Sequence, residues 1–277
     1  MQELGVSIVW LMPVHPVGVQ ARIGADGDPY AVRDFTAIDP ALGDAAGLRA
    51  LVDDLHRRGM RVIYDWTLNR ASVDNVLTAS HPEWFTHDAA RQAVLPGAEP
   101  RLFHGFDFSS KPLRAWLLAA MQDWITAYGF DGLRFDDADI TPLDFLDEIR
   151  AALVPVRADI ALIAQSTDEL HHLDACDLTY DGGARETMLR IAQGEATADA
   201  VRWQWEESTY TFPRGAAHAL ARRKRTGAGV PLLWPRAASG RGGRRVHAGR
   251  RAARADGPGI QRAALGELDL AVRRLRA

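Results

Sequence analysis

Short apolar segments alternate with amphipathic helices from the start of the chain to residue 181, and this alternation constrains the fold more than any other feature. Each apolar segment has the pattern of a β-strand that is buried on both faces and that ends near a polar residue. Five such strands are predicted, at residues 6–14, 61–66, 132–136, 160–164 and 178–181. Because strand–helix–strand alternation builds parallel βαβ units, we predict an α/β fold with a parallel sheet.

Polar residues at the ends of parallel strands gather at one edge of the sheet, and two fold classes use that edge as a site. In a (β/α)8 barrel, the catalytic groups follow the carboxyl ends of the strands. In an open doubly wound sheet, the ligand lies in the crevice outside the same strand ends. No glycine-rich phosphate loop follows any of the predicted strands, which disfavours a nucleotide-binding sheet.

The helices between the strands are predicted from their ends and their apolar stripes. Asp44 is expected to begin one helix, which ends at Gly59. Pro112 fits a first helical position, and Gly129 ends that helix. The pair Thr141-Pro142 is predicted to cap the next helix.

A strand that ends with Arg134 and Asp136 is the strongest candidate for a functional site. Side chains two positions apart on a strand lie on the same face, so the guanidinium and the carboxylate are expected to be neighbours. A cation beside a carboxylate lowers the pKa of that carboxylate and keeps it ionised, which suits a nucleophile. A structural ion pair at a strand end is the alternative interpretation of the same two residues.

Five groups of segments carry a resemblance to a known family. They are residues 4–13 with 29–30 and 34–35, 59–66 with Asn69, 81–85, 129–136, and 162–165 with 177–181. In this order they resemble motifs of the α-amylase family, glycoside hydrolase family 13. The resemblance implies a partial (β/α)8 barrel with about strands two to six of the eight. Residues 1–215 would form this partial catalytic barrel, and residues 69–110 would be a short inserted subdomain after strand three.

The resemblance also implies roles for individual residues. Asp136 matches the nucleophile, and Arg134 matches its electrostatic partner. Asp65 matches a residue that stabilises the site or binds a sugar hydroxyl. Tyr30 matches an aromatic residue that stacks on the sugar ring, and a solvated loop aromatic is the alternative.

Two neighbouring residues relate to metal and sugar binding in the resembled family. Asn69 is a candidate substrate-binding residue, and it also matches a position that helps to bind structural calcium in some members, although no second calcium ligand can be assigned here. Neither a cofactor nor a metal is therefore predicted. Arg70 stands where the family usually has a histidine, so a sugar would meet a bulky cation instead of an imidazole.

The position that matches the catalytic acid is Gln165. Retaining glycosidases use one carboxylate to attack the anomeric carbon and a second carboxyl group to protonate the leaving oxygen. An amide has no proton to give near neutral pH, so the first step should lose general acid catalysis worth ~10²–10⁴-fold. Asp168 and Glu169 follow in the next loop and are the carboxylates that could substitute.

The final part of the chain differs in charge from the rest. Residues 216–277 hold 15 Lys and Arg against 3 Asp and Glu, whereas the residues before them hold 18 and 33. The last motif of the resembled family is also missing. We interpret 216–277 as a basic Arg/Ala/Gly-rich tail that is disordered or, from about residue 217, read out of frame. An intact gene frame that continues this tail in close relatives would contradict the frame hypothesis, and a nucleic-acid-binding arm is the disfavoured alternative.

Two classes of function remain open from the sequence. The first is a glycoside hydrolase or transglycosidase that acts on α-glucans or malto-oligosaccharides by a retaining mechanism, impaired or inactive because of Gln165 and the missing motif. The second is a non-catalytic carbohydrate-binding pseudoenzyme or a pseudogene fragment. Either would have α-linked glucosides or oligosaccharides as its partners.

Location and assembly are predicted from simpler features. The single cysteine, Cys176, excludes an intrachain disulfide and fits a reducing, cytoplasmic compartment. The apolar run at 6–14 is too short to span a bilayer and lacks a basic leader, so no membrane association is predicted. An unclosed sheet would leave unpaired strand edges, and nonspecific self-association is therefore expected.

Overall fold

A four-stranded parallel sheet organises the part of the chain that the computed structural model describes, namely residues 4–90, 92–94, 102–168, 170–173 and 175–211. In chain order, the elements are β1 (Ile8–Leu11), α1 (Ala45–Arg57), β2 (Arg61–Thr67), β3 (Arg70–Ser72), α2 (Val76–Ser80), β4 (Phe103–Gly105), α3 (Lys111–Tyr128), β5 (Gly132–Asp136), α4 (Leu143–Leu153), β6 (Ala161–Ala164), α5 (Leu170–Leu173), α6 (Gly182–Ala192) and α7 (Asp199–Thr211). The sheet order is β1-β2-β5-β6, and β3 and β4 form a separate antiparallel pair. The predicted α/β class with a parallel sheet is thus confirmed, and the predicted tail at 216–277 lies outside the described residues.

Two of the predicted strands differ in length from the observed ones. The run at 6–14 pairs with β2 only over Ile8–Leu11, since Pro13 has no backbone N–H to donate to a ladder. The strand predicted at 178–181 is wrong in extent, because the segment forms isolated bridges at Leu178 and Tyr180 instead of a continuous strand, and the bridge of Leu178 is to Ile163. That bridge is parallel, so this segment still continues the direction of the sheet.

The helix ends mostly follow the predicted signals. The Asp44 carboxylate accepts a hydrogen bond from the Gly47 N–H at 2.7 Å and caps α1, and Gly129 ends α3 in a left-handed conformation with φ of 75°. The predicted Thr141 cap is wrong, because Pro142 takes the N-cap position of α4 and no side chain caps that helix. Among the described helices, none combines the length and apolar character needed to span a membrane.

The two faces of the sheet have different chemistry. Alternate residues of β2, β5 and β6 pack under the helices in the main core: Val62, Tyr64, Trp66, Leu133, Phe135, Leu162 and Ala164. The opposite face carries a small apolar cluster: Ile8, Ile63, Ala161, Ile163, Leu178 and Tyr180. Further along the same strands, that face changes to charged and polar side chains, which places a polar site at the carboxyl edge of the sheet.

The opposite, amino-terminal edge is held by a buried carboxylate. Asp131 accepts hydrogen bonds from the Val62 N–H at 2.7 Å, from Arg61 and Arg157 at 2.6 Å each, and from His56 at 2.7 Å. Burial alone would raise the pKa of Asp131, but these hydrogen bonds outweigh it and lower the pKa. The carboxylate therefore joins β2, β5 and α1 at the base of the sheet.

Gly132 is expected to be needed for the close approach of β5 to β6. A Cβ added at this position would lie 2.3 Å from the Ala161 carbonyl oxygen and 2.7 Å from Ile63 Cδ1. A backbone carbonyl in a ladder cannot move aside, so Gly132→Ala should lower the free energy of unfolding by about 1–3 kcal/mol. Urea denaturation would measure this loss. Gly47→Ala on the exposed start of α1 is the control and should change stability by less than about 1 kcal/mol.

Candidate active site

The strand register brings the predicted site residues together at the carboxyl edge of the sheet. Asp65 on β2 lies opposite Arg134 on β5, and Thr67 lies opposite Asp136. Gln165 directly follows β6, and its backbone N–H donates to the Phe135 carbonyl at 3.0 Å. Because Asp65, Arg134 and Asp136 occupy alternate strand positions on the face away from the helices, their side chains meet.

Arg134 is the centre of this cluster. Its Nη1 donates to Asp65 Oδ1 at 2.8 Å and to Asp136 Oδ1 at 2.5 Å, and its Nη2 donates to Gln165 Oε1. Its Nε donates to the Tyr180 hydroxyl at 3.0 Å. Burial opposes the charged guanidinium, but Asp65, Tyr180 and Asp136 outweigh burial and raise the pKa of Arg134. The side chain therefore remains a fixed cation beside two carboxylates.

Asp65 and Tyr30 form a second, fully buried layer of the site. The Tyr30 hydroxyl donates to Asp65 Oδ2, and Tyr30 is only 3% exposed. Burial raises the pKa of Asp65, although Arg134 and Tyr30 act in the opposite direction. Burial and the nearby carboxylate of Asp65 raise the pKa of Tyr30, so its hydroxyl keeps its proton. Tyr30 is thus not a solvated loop aromatic, and its stacking on a sugar stays a prediction.

Arg70 makes contacts that the sequence does not reveal. Its Nη2 donates to Asp136 Oδ2 at 2.6 Å, and its Nη1 lies 2.8 Å from Asp137 Oδ2. Its guanidinium lies 4.9 Å from the centroid of the Phe103 ring. Arg70 was expected to face the sugar, and the structure places it directly on the carboxylate of the predicted nucleophile.

Asn69 uses both ends of its amide within the protein. Its Nδ2 donates to the carbonyl oxygens of Asp137 at 2.6 Å and Asp136 at 3.3 Å, and its Oδ1 accepts from Arg70 Nη1 at 3.0 Å. A calcium ion does not fit an amide oxygen that already binds a guanidinium, since the ion would lie beside a second positive charge. Within the described residues, no group of three or more His, Cys, Asp or Glu side chains clusters as metal ligands.

Gln165 lies where the proton donor is expected, and it is buried. Its amide oxygen accepts from Arg134 and, at 3.3 Å, from the Asp137 N–H. Asp168 is exposed, and its Oδ1 accepts from the Leu170 N–H at 2.9 Å, which is a local turn contact at α5. No described contact joins Asp168 to the site, and Glu169 lies outside the described residues. Of the two loop carboxylates predicted as possible substitutes, the one that the structure describes therefore lies outside the cluster around Arg134.

Three residues of the site are missed by the sequence analysis. Tyr180 bonds to Arg134, and Trp10, which follows β1 residue Ile8 at the strand period of two, has its ring 4.9 Å from the Arg134 guanidinium. Asp137 adopts a left-handed conformation with φ of 47°, which is uncommon for a residue with a side chain. The two aromatic residues could have been found by continuing the alternation of each strand to its end. The backbone conformation of Asp137 has no such signal.

In this arrangement, the carboxylate of Asp136 lies between two guanidinium groups at the carboxyl edge of the sheet. A carboxylate in that position can attack an electrophilic carbon. Gln165 beside it can donate or accept hydrogen bonds but cannot transfer a proton near neutral pH. The site thus combines an acidic side chain, two guanidinium groups and an amide at the carboxyl edge of the sheet.

Comparison with known proteins identifies what this site and fold are similar to. The family model for the α-amylase catalytic domain matches residues 1–93. An α-1,4-glucan:maltose-1-phosphate maltosyltransferase of Salinibacter ruber is 29% identical over 169 residues, which are 52% of this chain and 25% of the relative. The chain spans between about a fifth and two fifths of the curated relatives that it matches.

Solved structures extend the similarity through most of the described residues. A noncanonic maltogenic α-amylase from Thermotoga neapolitana superposes with a TM-score of 0.73 at 33% identity, over 78% of this chain and 51% of its own. An α-amylase from Lactobacillus plantarum superposes with a TM-score of 0.74 at 29% identity, over 78% of this chain and 55% of its own. The parallel sheet described above is therefore part of a barrel of the kind found in these enzymes.

Proposed function

Because this chain carries part of an α-amylase-family catalytic domain, we propose that it performs the nucleophilic half of a retaining glycosyl transfer on α-linked glucosides. Asp136 is the nucleophile, Arg134 orients it, and Asp65 and Tyr30 complete the sugar-binding layer. Residues 1–215 form the catalytic unit, and 69–110 are its inserted subdomain. The relatives named as maltosyltransferase and cyclomaltodextrinase support α-glucans or malto-oligosaccharides as the substrate class.

The observation that carries this proposal is the position of Asp136. It ends the central strand β5, its Oδ1 is 2.5 Å from Arg134 Nη1, and it shares that cation with buried Asp65. Two carboxylates around one arginine, at the edge where barrel enzymes carry out their chemistry, fit a site for a sugar that becomes positively charged.

In the first step, an oxygen of Asp136 attacks the anomeric carbon and the bond to the leaving group breaks. The leaving group departs with the electron pair, and a sugar ester of Asp136 remains. An alcohol leaving group needs a proton at this point, and Gln165 cannot supply it, which costs ~10²–10⁴-fold in rate. A leaving group that is stable as an anion, such as fluoride, needs no proton.

The second step has the same limitation. Water must lose a proton as it attacks the sugar ester, and Gln165 cannot act as the base. The ester should therefore accumulate. A small anion that has no proton to lose, such as azide, should release the sugar from Asp136 much faster than water does.

The test is to mix the purified chain with α-glucosyl fluoride and to follow fluoride release and intact protein mass. We expect a burst of about one fluoride per chain, a mass gain of one glucosyl unit on the peptide that contains Asp136, and faster turnover when azide is added. Absence of both the burst and the mass gain in folded protein would contradict the proposal. Rapid turnover of maltose would also contradict it, since maltose needs a proton donor.

A non-catalytic sugar-binding role is the second candidate, and Gln165 is the observation that favours it. The same experiment separates the two functions. Calorimetric binding of a malto-oligosaccharide without any fluoride burst would favour the binding role. A burst that is competed by the oligosaccharide would favour the proposed chemistry.

A further inference from the structure

Arg70 begins β3, immediately beyond the carboxyl end of β2, and reaches Asp136 from the side opposite Arg134. Arg134 binds Oδ1 of the Asp136 carboxylate, and Arg70 binds Oδ2 at 2.6 Å. Both oxygens of the attacking group are thus held by guanidinium groups. One such cation orients a nucleophile, whereas the second adds a constraint that orientation does not require.

The Arg70 side chain is anchored rather than free at the surface. It is 7% exposed, and its guanidinium lies over the Phe103 ring, 4.9 Å from the ring centroid. Its Nη1 contacts Asp137 Oδ2 at 2.8 Å and Asn69 Oδ1 at 3.0 Å. Pairing of β3 with β4 places Arg70 opposite Gly105, so the backbone of this residue is fixed as well. The contact with Asp136 is therefore a built feature of the described fold.

This contact opposes the chemistry of Asp136 in two ways. A hydrogen-bonded cation withdraws charge from Oδ2 and lowers its tendency to form a bond to carbon. In the transition state, positive charge also develops on the sugar ring beside Asp136. A second positive charge a few ångströms away repels that developing charge, and the repulsion is strong in a buried site.

We propose that Arg70 is a positioning residue that holds Asp136 in place and slows its attack on the anomeric carbon. This inference rests on the proposed function and adds a second limit on the rate of the site, independent of Gln165. Gln165 limits reactions with alcohol leaving groups, whereas Arg70 limits every donor, including glucosyl fluoride.

The test compares the rate of the fluoride burst in the full chain and in Arg70 variants. Arg70→Met removes the charge and keeps the length of the side chain, and we expect it to speed the burst by about 10- to 100-fold. Arg70→Lys keeps a positive charge near Asp136 and should speed the burst clearly less than the neutral variants do. The change should appear in the maximal burst rate, not in the concentration of donor that gives half of it.

Two further variants keep the test decisive. Arg70→Gln replaces Arg70→Met if the latter fails to give a cooperative unfolding transition. Arg202→Met, on the exposed surface of α7, is the control and should leave the burst unchanged.

The outcomes distinguish this inference from the proposed function. A burst in the unaltered chain that is no faster in either neutral variant overturns the role of Arg70 alone. Equal acceleration in the neutral variants and in Arg70→Lys also overturns it, because charge would then not be the cause. No burst in any folded variant overturns both proposals together.

Discussion

Asp136→Asn is expected to abolish the fluoride burst and the attached glucosyl group. The amide oxygen can keep the hydrogen bond from Arg134, but the side chain loses the negative charge that attacks the anomeric carbon, and its NH2 group cannot accept from Arg70. Loss of a covalent nucleophile typically costs at least ~10³-fold, which places the burst below detection. Stopped-flow fluoride detection together with intact mass spectrometry would measure the effect.

The neighbouring residue supplies a matched control for this substitution. Asp137 also pairs with Arg70, at 2.8 Å, and Asn is well suited to its left-handed backbone. Asp137→Asn should keep a burst of about one equivalent. Loss of the burst in Asp137→Asn but not in Asp136→Asn would show that the nucleophile has been assigned to the wrong residue.

Arg134→Met is expected to give the largest loss of stability. The substitution leaves the carboxylates of Asp65 and Asp136 buried without their shared cation, and it removes the guanidinium donor to Gln165 and to the Tyr180 hydroxyl. Removing one partner of a buried ion pair usually costs about 3–5 kcal/mol. Urea denaturation at pH 7 would measure this loss, and Arg58→Met, at the exposed residue that follows α1, should cost less than about 1 kcal/mol.

The dependence on pH gives the Arg134 prediction a second readout. Burial already raises the pKa of Asp65 in the folded chain, and removal of Arg134 removes an interaction that lowers it. A carboxyl group whose pKa is higher in the folded than in the unfolded state binds more protons when folded, so stability falls as pH rises through that range. The deficit of Arg134→Met should therefore shrink as the pH is lowered from 7 towards 5. A deficit that is constant over this range would mean that packing, not charge, causes it.

The sequence predicted the strands best where burial is greatest. β2, β5 and β6 are covered on both faces, so their apolar runs are almost continuous and their ends are clear. The segment at 178–181 is different, because it forms isolated bridges at Leu178 and Tyr180 and no continuous ladder. The pattern of apolar residues cannot distinguish such a segment from a full strand, since the two differ only in how many backbone hydrogen bonds they make with the neighbouring strand.

The same limit applies to the site. Arg134 and Asp136 were expected to meet because the strand period of two fixes their relation within five residues. Arg70 contacts Asp136 from 66 positions away, and that contact depends on how β3 leaves the end of β2. The sequence shows that Arg70 departs from the family pattern, but it does not show where the side chain points. The contact of this second guanidinium with Asp136 is therefore seen only in the structure.

Every contact that the structure gives to Arg134 comes from residues between Trp10 and Tyr180. These partners lie on, or directly after, the four strands of the parallel sheet and on the segment at 178–181. During synthesis on a ribosome, all of the groups that neutralise this arginine are present once residue 180 has emerged. The charged centre can thus assemble early, and the parts of the chain that emerge later would fold against an arginine whose charge is already neutralised.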